Sequence, residues 1–190
     1  MPNRIHLLAV LVLTVLLASC ASTRYESQLA SDFSGTVDRL FVVADVAGTW
    51  ERDDIQALSD QLEGALGACA EVAVYVLDPL ALDREAADRH LEEFGPSYVL
   101  LLEQTMEKVQ SQGLLGDSPR GFVFQAALVD AAARKPVWRA TLDSGGNASF
   151  RLSYIESLVG ELVDGMQQDG LVVCAESALP GDRDRDDRGF

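Results

Sequence analysis

From residue 36 onward the chain is built of apolar blocks with two different periods. Thr36–Val46 holds Val37, Leu40, Phe41, Val42 and Val43, the near-continuous apolar run expected of a strand buried on both faces. Asp53 and Asp54 suit the positive end of a helix, and Ile55, Leu58, Leu62, Ala65, Leu66 and Cys69 then recur at helical spacing. Glu71–Leu77 is a second strand, closed by Asp78-Pro79. Asp83 opens a second helix with the stripe Ala86, Ala87, Leu91 and Phe94, and Gly95-Pro96 stops it. Ser97–Glu103 is a third strand, prolonged by Thr105, Glu107 and Val109 as an alternating ribbon. Residues 113–121, with their glycines and Asp-Ser-Pro, read as a loop. Phe122–Asp130 and Val137–Leu142 form a fourth and a fifth strand, joined as a hairpin across 131–136. The last helix has the clearest period: Ile155, Leu158, Val159, Leu162, Val163 and Met166, with Ser153 and Glu156 as a capping box and Asp169-Gly170 as the stop. Leu171–Cys174 reads as a short edge strand.

The order βαβαβββα predicts an α/β fold: a single compact domain, residues 36–175, with a mixed five-stranded sheet and helices packed on it. Helices connect the first three strands, so these run parallel. In the order second-first-third, right-handed crossovers place the two helices on opposite faces. Residues 20–35 are small and polar without a sustained period and read as a tether. Residues 176–190 form a charged tail with no core residues and are expected to be disordered.

Ahead of the tether, Arg4 and the amino terminus precede an apolar run from Leu7 to Leu17, then Ala18, Ser19 and Cys20. A spanning helix needs about 20 apolar residues, so this run fits a secretory signal, residues 1–19. Leu17-Ala18-Ser19-Cys20 resembles the lipobox of bacterial lipoproteins. The resemblance implies cleavage before Cys20 and acylation of its thiol and new amino terminus by chains such as palmitate. Two or more chains hold a protein stably on a membrane. Ala21, in place of an aspartate, implies transfer to the outer membrane, with either face open and the periplasmic one preferred.

Cleavage leaves 171 residues and, by removing Arg4, shifts the net charge from −15 to −16. That balance excludes a nucleic-acid partner, which requires basic surfaces, and also a basic face for anionic lipid. An oxidising compartment and the remaining pair Cys69 and Cys174 suggest one disulfide, the alternative being two buried thiols.

Catalytic and metal signatures are weak. His90 is the only histidine after the leader, without a nucleophile motif beside it, and reads as an exposed helix residue. Asp182, Asp184 and Asp186 begin like a calcium loop, but the glycine and the closing glutamate that such a loop needs are missing. Carboxylate pairs such as Glu92-Glu93 fit an acidic chain without a cleft. Phe122, Phe124 and Trp138 pack under a helix or, alternatively, line a small-ligand pocket. Leu114 and Leu115, set between glycines, mark a candidate partner contact.

SYVLLLEQT, FVFQAALVDAAARKPVWRATLD with its Asp130…Pro136-Val137-Trp138 turn, and a closing helix ending in DGL resemble a group of small bacterial lipoproteins. These carry a domain like the TolB N-terminal domain and include LpoB-type peptidoglycan-synthase activators and the periplasmic part of CsgG-type secretion lipoproteins. The resemblance implies an adaptor without catalytic residues or cofactor, an envelope protein partner, and possible self-association. The chain lacks the extra segments of a CsgG-type pore and the long proline-rich tether of a peptidoglycan-spanning activator. The expectation is therefore a non-enzymatic accessory or assembly factor of a cell-envelope complex, or alternatively an envelope small-ligand-binding module.

Overall fold

The computed structural model describes residues 24–46, 50–77, 85–111, 117–145 and 151–174. Within them lie β1 (Arg24–Leu29), β2 (Arg39–Asp45), α1 (Arg52–Leu66), β3 (Glu71–Val76), α2 (Ala86–Phe94), β4 (Tyr98–Ser111), β5 (Asp117–Asp130), β6 (Lys135–Gly145) and α3 (Arg151–Gln168). The strands make one mixed sheet in the order β1-β6-β5-β4-β2-β3. The apolar β2 sits between β3 and β4 and runs parallel to both, and all other pairs are antiparallel. The α/β class and the second-first-third order of the parallel trio agree with expectation.

The strand count does not. The sheet has six strands, because β1 lies inside the stretch read as tether and pairs with β6 from Arg24↔Asp143 to Leu29↔Trp138. Only Tyr25 and Leu29 carry an apolar signal there, too little for a period to emerge. Asp117–Arg120, read as loop, belong to β5. Leu171–Cys174 is not a strand; it runs irregularly, and the Val37 N–H donates to the Leu171 carbonyl at 2.8 Å. The leader, Cys20, Asp83, Leu114, Leu115 and the tail 176–190 lie outside the described residues.

One face of the sheet carries the core. Leu40, Val42 and Ala44 of β2, Leu100 and Leu102 of β4, Phe122, Phe124 and Leu128 of β5, and Trp138 and Leu142 of β6 all point to it. Leu58, Leu62 and Leu66 of α1, with Ile155, Leu158, Leu162 and Met166 of α3, cover them. Burying each such side chain contributes about 1.5–3 kcal/mol. On the opposite face α2 spans only β2 and β3. Phe94 packs on Phe41 with ring centroids 6.0 Å apart, and the Arg39 guanidinium lies 4.6 Å from the Phe94 centroid.

The helix ends follow local chemistry. Glu51 is the N-cap of α1, and its N–H donates to Asp54 Oδ2 at 3.3 Å, so the expected aspartates lie in the first turn. α3 begins by Arg151, two residues before Ser153, which was read as its cap. Its far end closes where Gly170 takes φ 73°, the Leu171 N–H donates to the Met166 carbonyl and the Gly170 N–H to Gln167.

That same end holds β1. Asp169 Oδ2 accepts from the Tyr25 hydroxyl at 2.8 Å and from Trp138 Nε1 at 2.7 Å. Trp138 is 1 % exposed, so its indole N–H has no water to turn to. Gly165 admits the Tyr25 ring, which a Cβ there would strike. Burial and the neighbouring Asp169 push the Tyr25 hydroxyl up to about 12, against a smaller opposing hydrogen bond with Ser27. Burial acts to raise the Asp169 carboxyl, but hydrogen bonds from Trp138, Ser27 and Tyr25 outweigh it and hold the group below its ordinary value.

Cys69, in the turn after α1, and Cys174, beyond α3, are joined by a disulfide across 105 positions of sequence.

Each of these ties is open to test. Asp169→Ala lowers unfolding free energy by about 1–3 kcal/mol in urea, because it strands a buried donor, whereas Tyr25→Phe costs about 1 kcal/mol. A depressed carboxyl stabilises above its unfolded pKa, so the gap between wild type and Asp169→Ala narrows as pH falls below about 4. Gly165→Ala also destabilises, although helix propensity alone favours alanine by about 1 kcal/mol; a raised denaturation midpoint would refute the contact with Tyr25. The Cys69→Ser, Cys174→Ser double variant loses up to about 4.7 kcal/mol in the loop-entropy account. Alkylation of the denatured, unreduced protein leaves both cysteines unmodified.

Candidate functional site

The rings of Phe122, Phe124 and Trp138 are buried beneath the helices, as expected; beside Trp138 there is also a concavity of about 390 Å³, between residues 28–31 and 136–139. Trp50 and Tyr154 pack against Phe122, at centroid distances of 5.8 and 5.1 Å. His90 is exposed on α2, its ring 5.4 Å from that of Tyr75, and Glu92 and Glu93 are exposed beside it. Among the described residues no group of three or more His, Cys, Asp and Glu side chains converges as a metal set. No described helix is long and apolar enough to cross a membrane.

Two features of the sheet remain available to a partner. The first is the outer edge of β3. The Glu71 N–H donates to the Asp38 carbonyl at 2.9 Å and the Leu77 N–H to Ala44 at 2.8 Å. In a parallel pair, alternate residues turn their N–H and C=O groups toward the same neighbour. Residues 71, 73, 75 and 77 therefore bond to β2, while the backbone groups of Val72, Val74 and Val76 point outward. β3 is terminal in the sheet, and no described strand pairs with that side. The Val72, Val74 and Val76 side chains pack against the core, and among the described residues no strand pairs with the outer edge. The sequence EVAVYV has no charge after Glu71 and no proline, the devices by which edge strands avoid pairing. The opposite edge, β1, is RYESQL, with charges on it.

The second feature is the part of the open face that α2 leaves uncovered. Cross-strand register sets Glu103, Gln125, Thr141 and Glu26 in one row, and Leu101, Ala127, Arg139 and Gln28 in the next. The short side chains of Ala127 and Thr141 leave the middle of these rows hollow, as a concavity of about 740 Å³. Leu101, 43 % exposed, is its apolar side chain of note. The rows carry two carboxylates and one guanidinium, so the surface is hydrogen-bonding and weakly acidic. Water covers such a face in many antiparallel sheets.

Sequence reasoning recognised β3 as a strand and missed that it is an edge. Periodicity reports burial of a strand's faces; the identity of its neighbours is set by topology. The open face was missed in part because β1, one of its four strands, was read as tether.

No family model and no curated protein matches the chain. Solved structures similar to it include the PelC dodecamer from Paraburkholderia phytofirmans, at 19% identity over 77% of this chain and 98% of that one, with a TM-score of 0.49. They also include lipoprotein GNA1162 from Neisseria meningitidis, at 19% identity over 70% and 96%, with a TM-score of 0.36. TolB from Acinetobacter baumannii matches at 11% identity over 80% of this chain and 32% of that one, with a TM-score of 0.35. Each is a partial likeness of chain path.

Proposed function

We propose that the chain is an outer-membrane lipoprotein, anchored through Cys20 and facing the periplasm. In this reading it is a non-enzymatic accessory or assembly factor of a cell-envelope complex. The observation that carries the partner-binding role is the outward backbone of Val72, Val74 and Val76 on an uncharged terminal strand. Such an edge receives an extended segment of another protein as an added strand, with main-chain hydrogen bonds giving affinity and alternate side chains specificity. The segment belongs to an envelope protein, and Cys20 keeps the two together at the membrane.

Val74→Pro tests this reading. Proline removes an outward N–H at this position and leaves the hydrogen bonds to β2 in place, as proline is tolerated on edge strands; because the Val74 side chain also packs on the core, recoveries are compared at equal folded yield. In-cell crosslinking of the tagged lipoprotein followed by mass spectrometry recovers a dominant envelope protein from wild type. Recovery falls about tenfold or more in Val74→Pro, equivalent to at least about 1.4 kcal/mol. Equal recovery at equal folded yield removes the β3 edge from the reading, and recovery of self-crosslinks alone replaces the envelope partner with a second copy. Cys20→Ser releases the protein from the membrane fraction.

The concavity on the open face favours one other reading, an envelope small-ligand-binding module. Its ligand would sit on Leu101, Gln125 and Arg139, in the larger of the two concavities described. Saturable calorimetric binding of an envelope metabolite that Arg139→Ala abolishes would establish it.

A further inference from the structure

The charge of the chain is unevenly placed. α1, β3 and α2, with their caps and the turn between them, span residues 51–76 and 85–94 and carry ten carboxylate side chains against Arg52 and Arg89, a net −8. β4, β5 and β6, residues 98–111 and 117–145, carry five acidic and five basic side chains and are neutral as a group. More than half of the net −15 therefore lies on one strand and the two helices packed beside it. Within that strand no charge follows Glu71.

The two faces at the β3 edge differ. On the α1 side stand Val72, Val74 and Val76. Their partners in β2, Leu40, Val42 and Ala44, are fully buried, whereas the three valines are only half-buried, because β2 has a strand on each side and β3 has one. On the α2 side stand Glu71, Ala73 and Tyr75, with the His90 ring 5.4 Å from that of Tyr75. Glu93 follows His90 by three positions and shares its side of the helix, and Asp88, Glu92 and Glu93 are all exposed. Glu92 and Glu93 stand in the last turn of α2, which holds no basic residue. The negative end of the helix dipole disfavours carboxylates there, and a cation brought alongside offsets that.

A second copy of the chain is poorly suited to this edge. Pairing β3 with its own copy would bring two such sectors together, each of net −8, and like-charge juxtaposition suppresses a wrong partner. The acidic helices thereby do for β3 what charges within the strand do for other edges. They reject a like-charged strand without blocking one of opposite charge.

Resting on the strand-addition reading of β3, we infer that the segment this edge receives is a basic one from another protein, with apolar side chains on the α1 side alternating with lysine or arginine on the α2 side. The apolar residues complete the burial of Val72, Val74 and Val76. The aliphatic stem of a lysine or arginine covers the open flank of Ala73 and Tyr75 and carries its charge out to the carboxylates of α2. Glu92 and Glu93 are in this account specificity-determining residues of the edge.

Two fluorescent peptides test it, Lys-Val-Thr-Val-Lys-Val-Thr-Val and its counterpart with glutamate in place of lysine. Each is titrated against the purified protein in nonionic detergent, and binding is read by anisotropy. The lysine peptide binds at least about tenfold more tightly than the glutamate peptide, and about 0.3 M salt narrows the gap. Val74→Pro abolishes its binding, and Val76→Pro, which also removes an outward N–H, replaces that variant if its circular dichroism departs from wild type. Glu92→Gln with Glu93→Gln weakens the lysine peptide about fivefold or more, whereas Glu156→Gln with Asp164→Asn, which removes the same charge from α3, changes it less than about twofold. Equal binding of the two peptides, lost in the proline variant, overturns the basic preference and leaves the edge reading standing. Equal weakening by the two charge pairs overturns the assignment to α2. Lysine-peptide binding that survives the proline variant, or no binding of either peptide, overturns the edge reading and the inference with it. A dimer of the unsubstituted protein that the proline variant dissolves, seen by sedimentation, overturns the rejection of a second copy.

Discussion

Asp169 joins parts of the chain that are far apart in sequence. Its one carboxylate oxygen accepts from Tyr25 in the first strand and from Trp138 in the sixth, at the point where the last helix ends. Without that acceptor the buried indole N–H would lack a partner, at a cost comparable to a sizeable share of a small domain's stability. The geometry around it is equally restrictive. Gly165 leaves room for the Tyr25 ring, and Gly170, in a left-handed conformation, turns the chain so that Leu171 returns to the core and Cys174 meets Cys69. The N-terminal strand is thereby a structural member of the domain, although its sequence is the least apolar of the six.

Once β1 is fixed, the distribution of exposed surface follows. α1 and α3 pack on one face. The crossover hand sends α2 to the other, where it reaches only β2 and β3. The antiparallel half is left with an open face, and its outward positions are accordingly polar: Glu26, Gln28, Glu103, Gln125, Arg139 and Thr141. The parallel half behaves differently. Its strands are apolar on both sides because helices flank them, and β3 keeps that composition although it has no outer neighbour among the described residues. A strand with the sequence of an interior strand in an edge position is the strongest sign in this fold of an absent pairing partner.

The parts of this architecture legible in sequence are those that burial on one or two faces dictates. The run in β2, the stripes of α1 and α3, the hairpin of β5 and β6 and the order of the parallel trio all come from periodicity and connection length. Cys69 and Cys174 paired as their number and compartment suggested. β1 was not legible, because Ser27 and Tyr25 are held by hydrogen bonds and a glycine contact instead of by apolar burial. Asp169 was readable only as part of a helix stop; its role depends on two residues, 144 and 31 positions away, that no local pattern connects to it. The rings of Phe122, Phe124 and Trp138 were legible as a group that packs under a helix, because alternation along the strands places them on one face.

The two edges of the sheet divide the work. β1 follows Cys20 by three intervening residues, so under the proposed anchoring the edge it forms would be the one tied to the membrane. β3 is at the other edge, five strand steps away, about 24 Å at the usual strand spacing. An anchor attached to the same edge as the open strand would crowd an incoming segment against the bilayer, and one attached through a long flexible linker would leave the domain's orientation free. In this chain the proposed attachment would lie next to the polar, charged edge, with the apolar edge at the other side of the sheet. A partner strand added along β3 would extend the sheet away from the anchor without displacing the core, the α2 contacts or the Asp169 network. If both proposed roles hold, geometry couples them only through rigidity: a segment on β3 would stay at a fixed distance from β1, because the sheet between them is one hydrogen-bonded unit.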